Sequence, residues 1–239
     1  RSYEYNGIIV YSFGLSYVGT LYSGNGQSVT FTPESDKEIS AVAASSGTLT
    51  GPSDGVYTLT MPAADVTITA TLSNYSVTLY DGTHDTTNAT TIAANDDHIA
   101  DVTISGRTLY KDGAWNSLCL PFGLASLTGT PLAEATVKEL DVEEEYDGHQ
   151  TSFDGETLYL YFKDASAIEA GKPYLVKWTS GSDITDPTFS NVEIDDDIVS
   201  VESEDGKVHF ISFFDPVELE ANDASNLYLG AENNLYWPS

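Results

Sequence analysis

Acidic side chains lie close together at two places in this sequence, and their oxygens are suited to binding a cation. Carboxylate oxygens are the ligands that Ca²⁺ prefers, and extracellular Ca²⁺ sites have dissociation constants of about 10⁻⁴–10⁻³ M. Neither place has the twelve-residue layout of an EF-hand, so solvated surface acids are the favoured interpretation and a Ca²⁺ site is the alternative. The candidate Ca²⁺ ligands are Asp195, Asp196 and Asp197, with Asp183 and Asp186 upstream, and a separate acidic group is Asp96, Asp97 and Asp101.

Aromatic side chains offer a second kind of site, a platform for sugar rings. Tyr159 and Tyr161 alternate with the apolar residues of 158–162, so both fall on the opposite face of a predicted strand. Trp115 follows an Asp-Gly turn at the start of another predicted strand. Exposed aromatic patches mark binding sites, whereas scattered rings do not. We therefore predict Trp115, Tyr159 and Tyr161 as ligand-binding residues, with Asp and Asn side chains as their hydrogen-bonding partners.

The sequence gives little support to catalysis. Cys119 lies in the apolar run 118–120, which is typical of a packed small side chain, and the four histidines have no partners at informative spacing. No nucleophile elbow, zinc-protease helix or phosphate-binding loop occurs. Among 37 acidic residues a close pair of carboxylates arises by chance, so an acid-based glycoside hydrolase is only the weaker alternative. We predict a protein that is not an enzyme.

Charge and composition exclude several classes of partner. The chain has 239 residues, 37 acidic against 9 basic, and a formal net charge of −28. Such a chain repels nucleic acids and anionic membranes, because binding to phosphates requires clustered Lys and Arg. No run of about 18 apolar residues occurs, so we predict no transmembrane segment in this chain. Abundant Thr, Ser, Asn, Asp, Gly and Tyr with scarce Lys favour a secreted or cell-surface protein.

Alternation of apolar and polar residues with a period of two predicts an all-β fold. The run 66–72 places its apolar residues on one face and its threonines on the other, and Tyr174, Val176 and Trp178 share one face of a later strand. The run 208–214 is apolar on both faces, which predicts a central strand covered on both sides. The stretch 165–171 is predicted as one helical turn or a loop.

Turn residues punctuate these runs and set the organisation of the chain. Asp-Gly between alternating runs is a strong hairpin signal, because type I′ turns need positive φ at both central residues. A change of composition near residue 74 predicts two domains, a small β-module over 1–74 and a larger antiparallel β-sandwich over 75–239. The turn signals are Gly24-Asn25-Gly26, Asp54-Gly55, Asp81-Gly82, Asp112-Gly113, Asp147-Gly148, Asp154-Gly155 and Asp205-Gly206.

Residues 27–72 carry a phrase that closes a small β-module. Gln27-Ser28-Val29-Thr30-Phe31-Thr32-Pro33-Glu34 is followed by a glycine-containing turn and then by the sequence TMPAADVTITA over 60–70. Pro62 ends one strand because it has no N–H to donate, and the chain turns a corner over 63–65 before the next strand. This segment resembles a divergent internalin B-repeat, although the Gly-Trp phrase after the first strand of that repeat is missing.

Two further phrases lie in the second half, LYKDGAWNSLCLPF over 109–122 and AGKPYLVKW over 170–178. They resemble secreted and surface proteins of Bacteroidetes-type gut bacteria. The resemblance implies an extracellular or cell-surface location and a binding or structural role, and it supplies no catalytic residues.

These observations combine into one expectation and its alternatives. We expect a secreted or cell-surface, non-catalytic adhesion or scaffold module, with a glycan or a host surface protein as partner. The alternative is a carbohydrate-binding module of a polysaccharide-use system. Strand-like residues at 235–239 also lead us to expect a fragment of a longer protein, with the second domain truncated at its C-terminus.

Overall fold

A computed structural model describes residues 2–5, 8–11, 15–18, 27–33, 36–53, 56–60 and 66–238. It is nearly all β, with small sheets that are not closed and one short α-helix, which confirms the predicted fold class. The chain divides into two compact units, Arg1–Tyr75 and Ser76–Ser239. Within the described residues, no helix has the length and apolar character needed to cross a membrane. The turns predicted at 24–26 and 54–55 and the corner at 62–65 lie outside the described residues.

The first unit consists of eight described strands in two sheets. One sheet has the order β1-β2-β8-β5, with β2 and β8 parallel, and the other has the antiparallel order β3-β4-β7-β6. The strands are β1 (Ser2–Tyr5), β2 (Ile8–Tyr11), β3 (Leu15–Val18), β4 (Gln27–Pro33), β5 (Lys37–Ala44), β6 (Thr48–Ser53), β7 (Val56–Thr60) and β8 (Val66–Asn74).

The core of the first unit follows from the alternation in its strands. Val66 and Ile68 of β8 are fully buried, and they form one cluster with Tyr57 and Leu59 of β7. Thr69 and Thr71, on the other face of β8, are exposed. Burial of alternate side chains therefore stabilises this strand as the period of two predicts.

The second unit contains fifteen short strands, an α-helix and a 3₁₀ helix. Its elements are β9 (Ser76–Tyr80), α1 (Asn88–Ala93), β10 (Ile99–Ser105), β11 (Thr108–Leu109), β12 (Asn116–Cys119), β13 (Thr136–Asp141), β14 (Ser152–Phe153), β15 (Leu158–Tyr159), β16 (Tyr161–Asp164), β17 (Pro173–Lys177), β18 (Ile184–Thr185), β19 (Thr188–Glu193), β20 (Val201–Glu202), β21 (His209–Phe210), β22 (Tyr228–Leu229), the 3₁₀ helix Ala231–Asn233 and β23 (Leu235–Tyr236).

Two sheets of the second unit position the candidate site. The larger has the antiparallel order β12-β17-β13-β16, and the smaller has the order β19-β10-β9. The pair β9 and β10 is parallel, because the connection over 81–98, which contains α1, crosses back to the starting end of the sheet. The core includes Tyr174, Val176 and Trp178, which confirms the face predicted for them. Phe122 and Phe189 pack at 5.1 Å between ring centroids and join the two sheets.

One prediction about local structure is wrong, and for another the structure selects one of two alternatives. The run 208–214 forms only the two-residue strand β21, and Ile211 and Phe213 are exposed. Its polar groups bind elsewhere, because the Ser212 hydroxyl donates to the Gly171 carbonyl and the Phe214 carbonyl accepts from Asn88 Nδ2. The stretch 165–171 is a loop before β17, which is the second of its two predicted alternatives. The α-helix of the described residues is α1, and the Thr87 hydroxyl caps it by accepting the Thr90 N–H.

Candidate functional site

The loop 110–116 presents Trp115, and Asn116 fixes this loop. Asn116 is buried at the start of β12. Its Oδ1 accepts the Tyr110 N–H at 3.0 Å, and its Nδ2 donates to the Tyr110 carbonyl at 3.0 Å. The side-chain amide thus pairs with the backbone of Tyr110 as a neighbouring strand would. The Asp112 carboxylate accepts the Ala114 N–H at 2.9 Å inside the loop. Trp115 is therefore held on a closed loop at the edge of the four-stranded sheet.

Trp115 is half-buried, and one side of its ring is occupied. Its backbone N–H donates to Asn233 Oδ1 at 2.8 Å, and the Lys177 ammonium lies 4.3 Å from its ring centroid. The register of β12 with β17 places Asn116 opposite Val176, so Trp115 and Lys177 are the next cross-strand neighbours. The ammonium is attracted to the ring face. A ligand would contact the ring on the side away from Lys177.

A depression of about 250 Å³ lies beside Trp115, and we call it the Trp115 cleft. Pockets for drug-sized ligands measure about 300–1,000 Å³, so this one suits a single ring of a larger ligand. Tyr110 adds a second ring, 54% exposed. The described residues that line the cleft are Asp81, Gly106, Arg107, Thr108, Tyr110, Trp115, Asn116, Ser117, Leu229 and Gly230.

Arg107 is the cation of the cleft lining, and its charge is only weakly compensated. Its Nη1 lies 3.5 Å from Asp81 Oδ2, and its Nη2 donates to the Ser117 carbonyl. Its Nε is buried with no hydrogen-bond partner in the described structure. A long ion pair to a half-exposed carboxylate contributes about 0–1 kcal/mol, so the guanidinium retains the capacity to bind an oxygen of a ligand.

The hairpin of β22 and β23 forms one wall of the Trp115 cleft. Leu229 and Gly230 line the cleft, and the Gly230 N–H donates to the Asn234 carbonyl at 2.9 Å. A Cβ at Gly230 would lie 2.5 Å from the Tyr236 ring, so any larger residue there must displace this ring. The close packing of this hairpin brings Asn233 to the backbone of Trp115.

Tyr159 and Tyr161 belong to a different group of rings, which we call the aromatic cluster: Tyr146, His149, Tyr159 and Tyr161. Tyr146 stacks on Tyr161 at 4.8 Å, and His149 stacks on Tyr159 at 4.2 Å. The two-residue turn Asp147-Gly148 positions the rings of Tyr146 and His149, which flank it. Both turn residues have positive φ, and the Tyr146 and His149 backbones exchange two hydrogen bonds. The rings of the cluster therefore cover one another.

The aromatic cluster is anchored by a buried carboxylate. The Tyr146 hydroxyl donates to Asp141 Oδ2 at 2.8 Å, and Asp141 has no exposed surface. Burial acts to raise the pKa of Asp141, but the Tyr146 hydroxyl and the N–H groups of Glu143 and Glu144 together hold it below its ordinary value. The same hydrogen bond raises the pKa of Tyr146. The cluster is thus fixed by charge-assisted hydrogen bonding.

The structure does not bring Trp115 and the two predicted tyrosines into one platform. β12 and β16 are the two edges of the four-stranded sheet, about 14 Å apart at the usual spacing of strands. Thr136 pairs with Lys177 and Asp141 pairs with Tyr161, so Trp115 and Tyr161 are also offset by about 17 Å along the strands. Trp115 and the aromatic cluster are therefore separate surfaces.

The predicted acidic ligands are only partly together. Asp195 and Asp196 have carboxylate oxygens within 4.8 Å of one another and of Asp96, and all three are exposed. The Asp96 charge, more than any other factor, raises the pKa of Asp196. The Asp197 N–H donates to Asp195 Oδ1 at 2.9 Å. Asp96 comes from the other acidic group of the sequence, and no local spacing could have linked residues a hundred positions apart.

Asp183 and Asp186 lie at the opposite end of β19 from Asp195, and six strand residues span about 20 Å. Asp183 Oδ1 accepts the Lys111 N–H at 2.8 Å, and Asp186 Oδ1 accepts the Gly106 N–H at 2.6 Å. Both carboxylates accept hydrogen bonds from backbone N–H groups, and neither belongs to the trio Asp96, Asp195 and Asp196.

Cys119 is half-buried on β12 and lines a second depression of about 270 Å³, between β9 and β12. Burial raises the pKa of its thiol, and a hydrogen bond with Ser212 opposes this only in part. The thiol stays protonated at neutral pH and is a weak nucleophile.

With the fold and the sites described, comparison with known proteins adds no relative. No protein-family model, characterised protein or solved structure matches this chain. The resemblances to internalin B-repeats and to Bacteroidetes surface proteins stay predictions.

Proposed function

We propose that this chain is a non-catalytic module of a secreted or cell-surface protein, acting in adhesion or as a scaffold that presents the Trp115 cleft to a ligand. The observation that carries the proposal is the arrangement at this cleft, where Trp115 and Tyr110 offer accessible rings beside Arg107 and Asp81. A rigid sheet edge positions the rings, and binding to a fixed surface loses less conformational entropy than binding to a mobile loop.

The chemistry of the cleft supports binding rather than catalysis. Hydrolysis of a glycosidic bond uses two carboxylates about 5–10 Å apart on either side of the bond. Among the described residues that line the Trp115 cleft, Asp81 is the single carboxylate. The thiol of Cys119 faces another depression and is kept protonated by burial. These features favour a ligand that is held and released unchanged.

Composition supports the proposed location. Abundant Thr, Ser, Asn, Asp, Gly and Tyr with scarce Lys are typical of extracellular bacterial β-proteins, and the net charge of −28 favours solubility. The charge also disfavours nucleic acids and anionic lipids as partners.

A specific observation favours carbohydrate as the ligand, which makes a carbohydrate-binding module of a polysaccharide-use system the second candidate. Sugar rings have apolar faces and hydroxyl edges, so they fit sites that combine aromatic rings with planar hydrogen-bonding groups. The Trp115 cleft has this combination in two rings, one guanidinium and one carboxylate. A host surface protein is the other partner class for an adhesion module.

A glycan array tests both candidates. We expect the purified chain to bind a subset of glycans, and Trp115→Ala to abolish this binding. Trp237→Ala is the matched control, because Trp237 is 58% exposed and does not line the cleft. Binding that survives Trp115→Ala would place the site elsewhere, and an array without any signal would remove the carbohydrate-binding candidate.

Incubation with each bound glycan tests the claim that the module is non-catalytic. We expect the oligosaccharide to be recovered at its original length after a day at 37 °C. Shortened products that disappear with Asp81→Asn would contradict the proposal and revive the glycoside hydrolase.

A further inference from the structure

The lining of the Trp115 cleft is electrically balanced, although the protein as a whole is strongly anionic. Among the described residues that line the cleft, Arg107 is the single cation and Asp81 is the single carboxylate. Lys177 lies over the indole of Trp115 and does not line the cleft. A charged ligand would therefore find no uncompensated partner in this lining, and electrostatic complementarity favours a neutral polar ligand.

Arg107 and Asp81 place a hydrogen-bond donor beside an acceptor at the surface of the cleft. Arg107 Nη1 lies 3.5 Å from Asp81 Oδ2, beyond the range of about 2.7–3.2 Å that is usual for an N–H···O hydrogen bond. The side chains are 24% and 44% exposed, respectively. Asp81 Oδ1 accepts no hydrogen bond from any group that the structure describes. Both side chains therefore retain hydrogen-bonding capacity for a ligand.

We propose that the Trp115 cleft binds a neutral sugar through two hydroxyls on adjacent ring carbons. This inference rests on the proposed carbohydrate-binding function and names the class of ligand. One hydroxyl oxygen accepts a hydrogen bond from Arg107 Nη1, and the adjacent hydroxyl donates to the Asp81 carboxylate. The apolar face of the sugar ring packs on Trp115.

The chemistry of the pair selects hydroxyls over anionic substituents. A hydroxyl both donates and accepts, so two adjacent hydroxyls can satisfy the guanidinium and the carboxylate together. A carboxylate or sulfate on the sugar only accepts, so it would bind Arg107 and be repelled by Asp81.

The spacing of the pair selects the relative orientation of the two hydroxyls. Adjacent hydroxyls in a gauche arrangement hold their oxygens at a separation comparable to that of Nη1 and Oδ2. Adjacent hydroxyls that are both axial point to opposite faces of the sugar ring and cannot reach both groups. Arg107 and Asp81 are thus specificity-determining residues of the cleft.

Competition with deoxy sugars tests the inference. An array first identifies the neutral glycan that binds in a Trp115-dependent way, and the methyl glycosides of its sugar units, each with a full set of monodeoxy analogues, then compete with it. We expect two analogues of one sugar, lacking hydroxyls on adjacent carbons in gauche arrangement, to compete at least about tenfold more weakly than the parent, as for loss of a hydrogen bond to a charged group. The other analogues should compete as well as the parent.

Asp81→Asn tests the charge balance of the cleft. The variant keeps the shape of the side chain and the backbone hydrogen bond from the Asp81 N–H to the Ser105 carbonyl, but it leaves Arg107 without a carboxylate. We expect affinity for the neutral glycan to fall about tenfold, and the preference to shift toward uronate-containing and sulfated glycans. Asp85→Asn is the matched control, since it makes the same change of net charge at an exposed residue outside the cleft.

The outcomes separate this inference from the proposed function. Trp115-dependent binding that prefers acidic glycans in the wild-type chain, or in which the sensitive hydroxyls are not adjacent, would overturn the neutral diol and leave carbohydrate binding intact. An equal shift of preference in Asp81→Asn and Asp85→Asn would also overturn it, because net charge alone would then explain the selectivity. An array without signal would overturn the carbohydrate-binding candidate and this inference together.

Discussion

The Trp115 cleft and the aromatic cluster both contain rings that the sequence marks as ligand contacts, yet they use those rings differently. In the aromatic cluster, Tyr146 stacks on Tyr161 and His149 stacks on Tyr159, so each ring covers a face of its partner. At the cleft, Trp115 has a cation over its ring and lines a depression of about 250 Å³. Stacked rings stabilise the fold, whereas a ring with a free side can bind a ligand.

The two regions also differ in how they are built. A local two-residue turn, Asp147-Gly148, arranges the aromatic cluster. The cleft depends on contacts between distant residues, with Asn116 fixing Tyr110 and Asn233 fixing Trp115. Local construction predicts robustness to mutation elsewhere, and construction from several segments predicts sensitivity to each of them.

Asn116→Ala should have the largest effect on the cleft. It removes both hydrogen bonds to Tyr110 and leaves backbone groups unpaired, so we expect a loss of about 1–3 kcal/mol in the free energy of unfolding and no ligand binding. Urea denaturation followed by tryptophan fluorescence measures this, because all three tryptophans belong to residues 76–239. Asn226→Ala, on an exposed loop, is the control, and equal losses in both variants would contradict the role of Asn116.

Trp115→Ala and Tyr161→Ala should affect different properties of the protein, the first ligand binding and the second stability. We expect Trp115→Ala to weaken glycan binding at least about tenfold, or about 1.4 kcal/mol, with little change in stability. Tyr161→Ala should lower stability, since it removes the stacking partner of Tyr146, and leave binding unchanged. Isothermal titration and urea denaturation separate these outcomes. A loss of binding in Tyr161→Ala would break the division into two surfaces.

Tyr146→Phe should have a smaller, pH-dependent effect. The native pKa of Asp141 lies below its ordinary value of 3.8, so Asp141 contributes stability above that pH and loses it as pH falls through the native pKa. Without the Tyr146 hydroxyl, we expect lower stability at pH 7 and convergence with the wild-type chain in strong acid. Urea midpoints measured from pH 7 to pH 2.5 check this, and a constant difference across that range would contradict the assignment.

Asp196→Asn should have the smallest effect and the opposite sign. Repulsion from Asp96 raises the pKa of Asp196 above 3.8, so its ionised form opposes folding once pH exceeds the native pKa. We expect the variant to melt slightly higher than the wild-type chain at pH 7 and identically at pH 3. Glu204→Gln, an exposed acid outside the trio, is the control. Stabilisation of the wild-type chain by 1 mM Ca²⁺, lost in Asp196→Asn, would show instead that the trio binds the ion.

Sequence alone predicts the features that depend on neighbours along the chain. Burial of Val66 and Ile68, and of Tyr174, Val176 and Trp178, follows from side chains that alternate between the faces of a strand. The type I′ turn at Asp147-Gly148 follows from the tolerance of these residues for positive φ. These features need no knowledge of the rest of the fold.

Features that depend on distant segments could not be predicted in this way. The cleft joins Asp81, Arg107, Trp115 and Gly230, and the acidic trio joins Asp96 with residues a hundred positions later. The prediction for the run 208–214 is wrong because its polar groups bond to distant segments instead of to a neighbouring strand. The Ser212 hydroxyl donates to the Gly171 carbonyl, and Asn88 Nδ2 donates to the Phe214 carbonyl. Apolar residues on both faces of this run were therefore not sufficient to make it a central strand.

The wall formed by Leu229 and Gly230, and the nearby Asn233 that fixes Trp115, have a consequence for synthesis on the ribosome. The chain emerges from its N-terminus, so Trp115 leaves the exit tunnel more than a hundred residues before the amide that fixes its backbone. A nascent chain arrested before residue 228 would display the indole without its wall. Under the proposed function, the Trp115 cleft is completed only near the end of translation of this unit, and earlier fragments lack one wall of the ligand site.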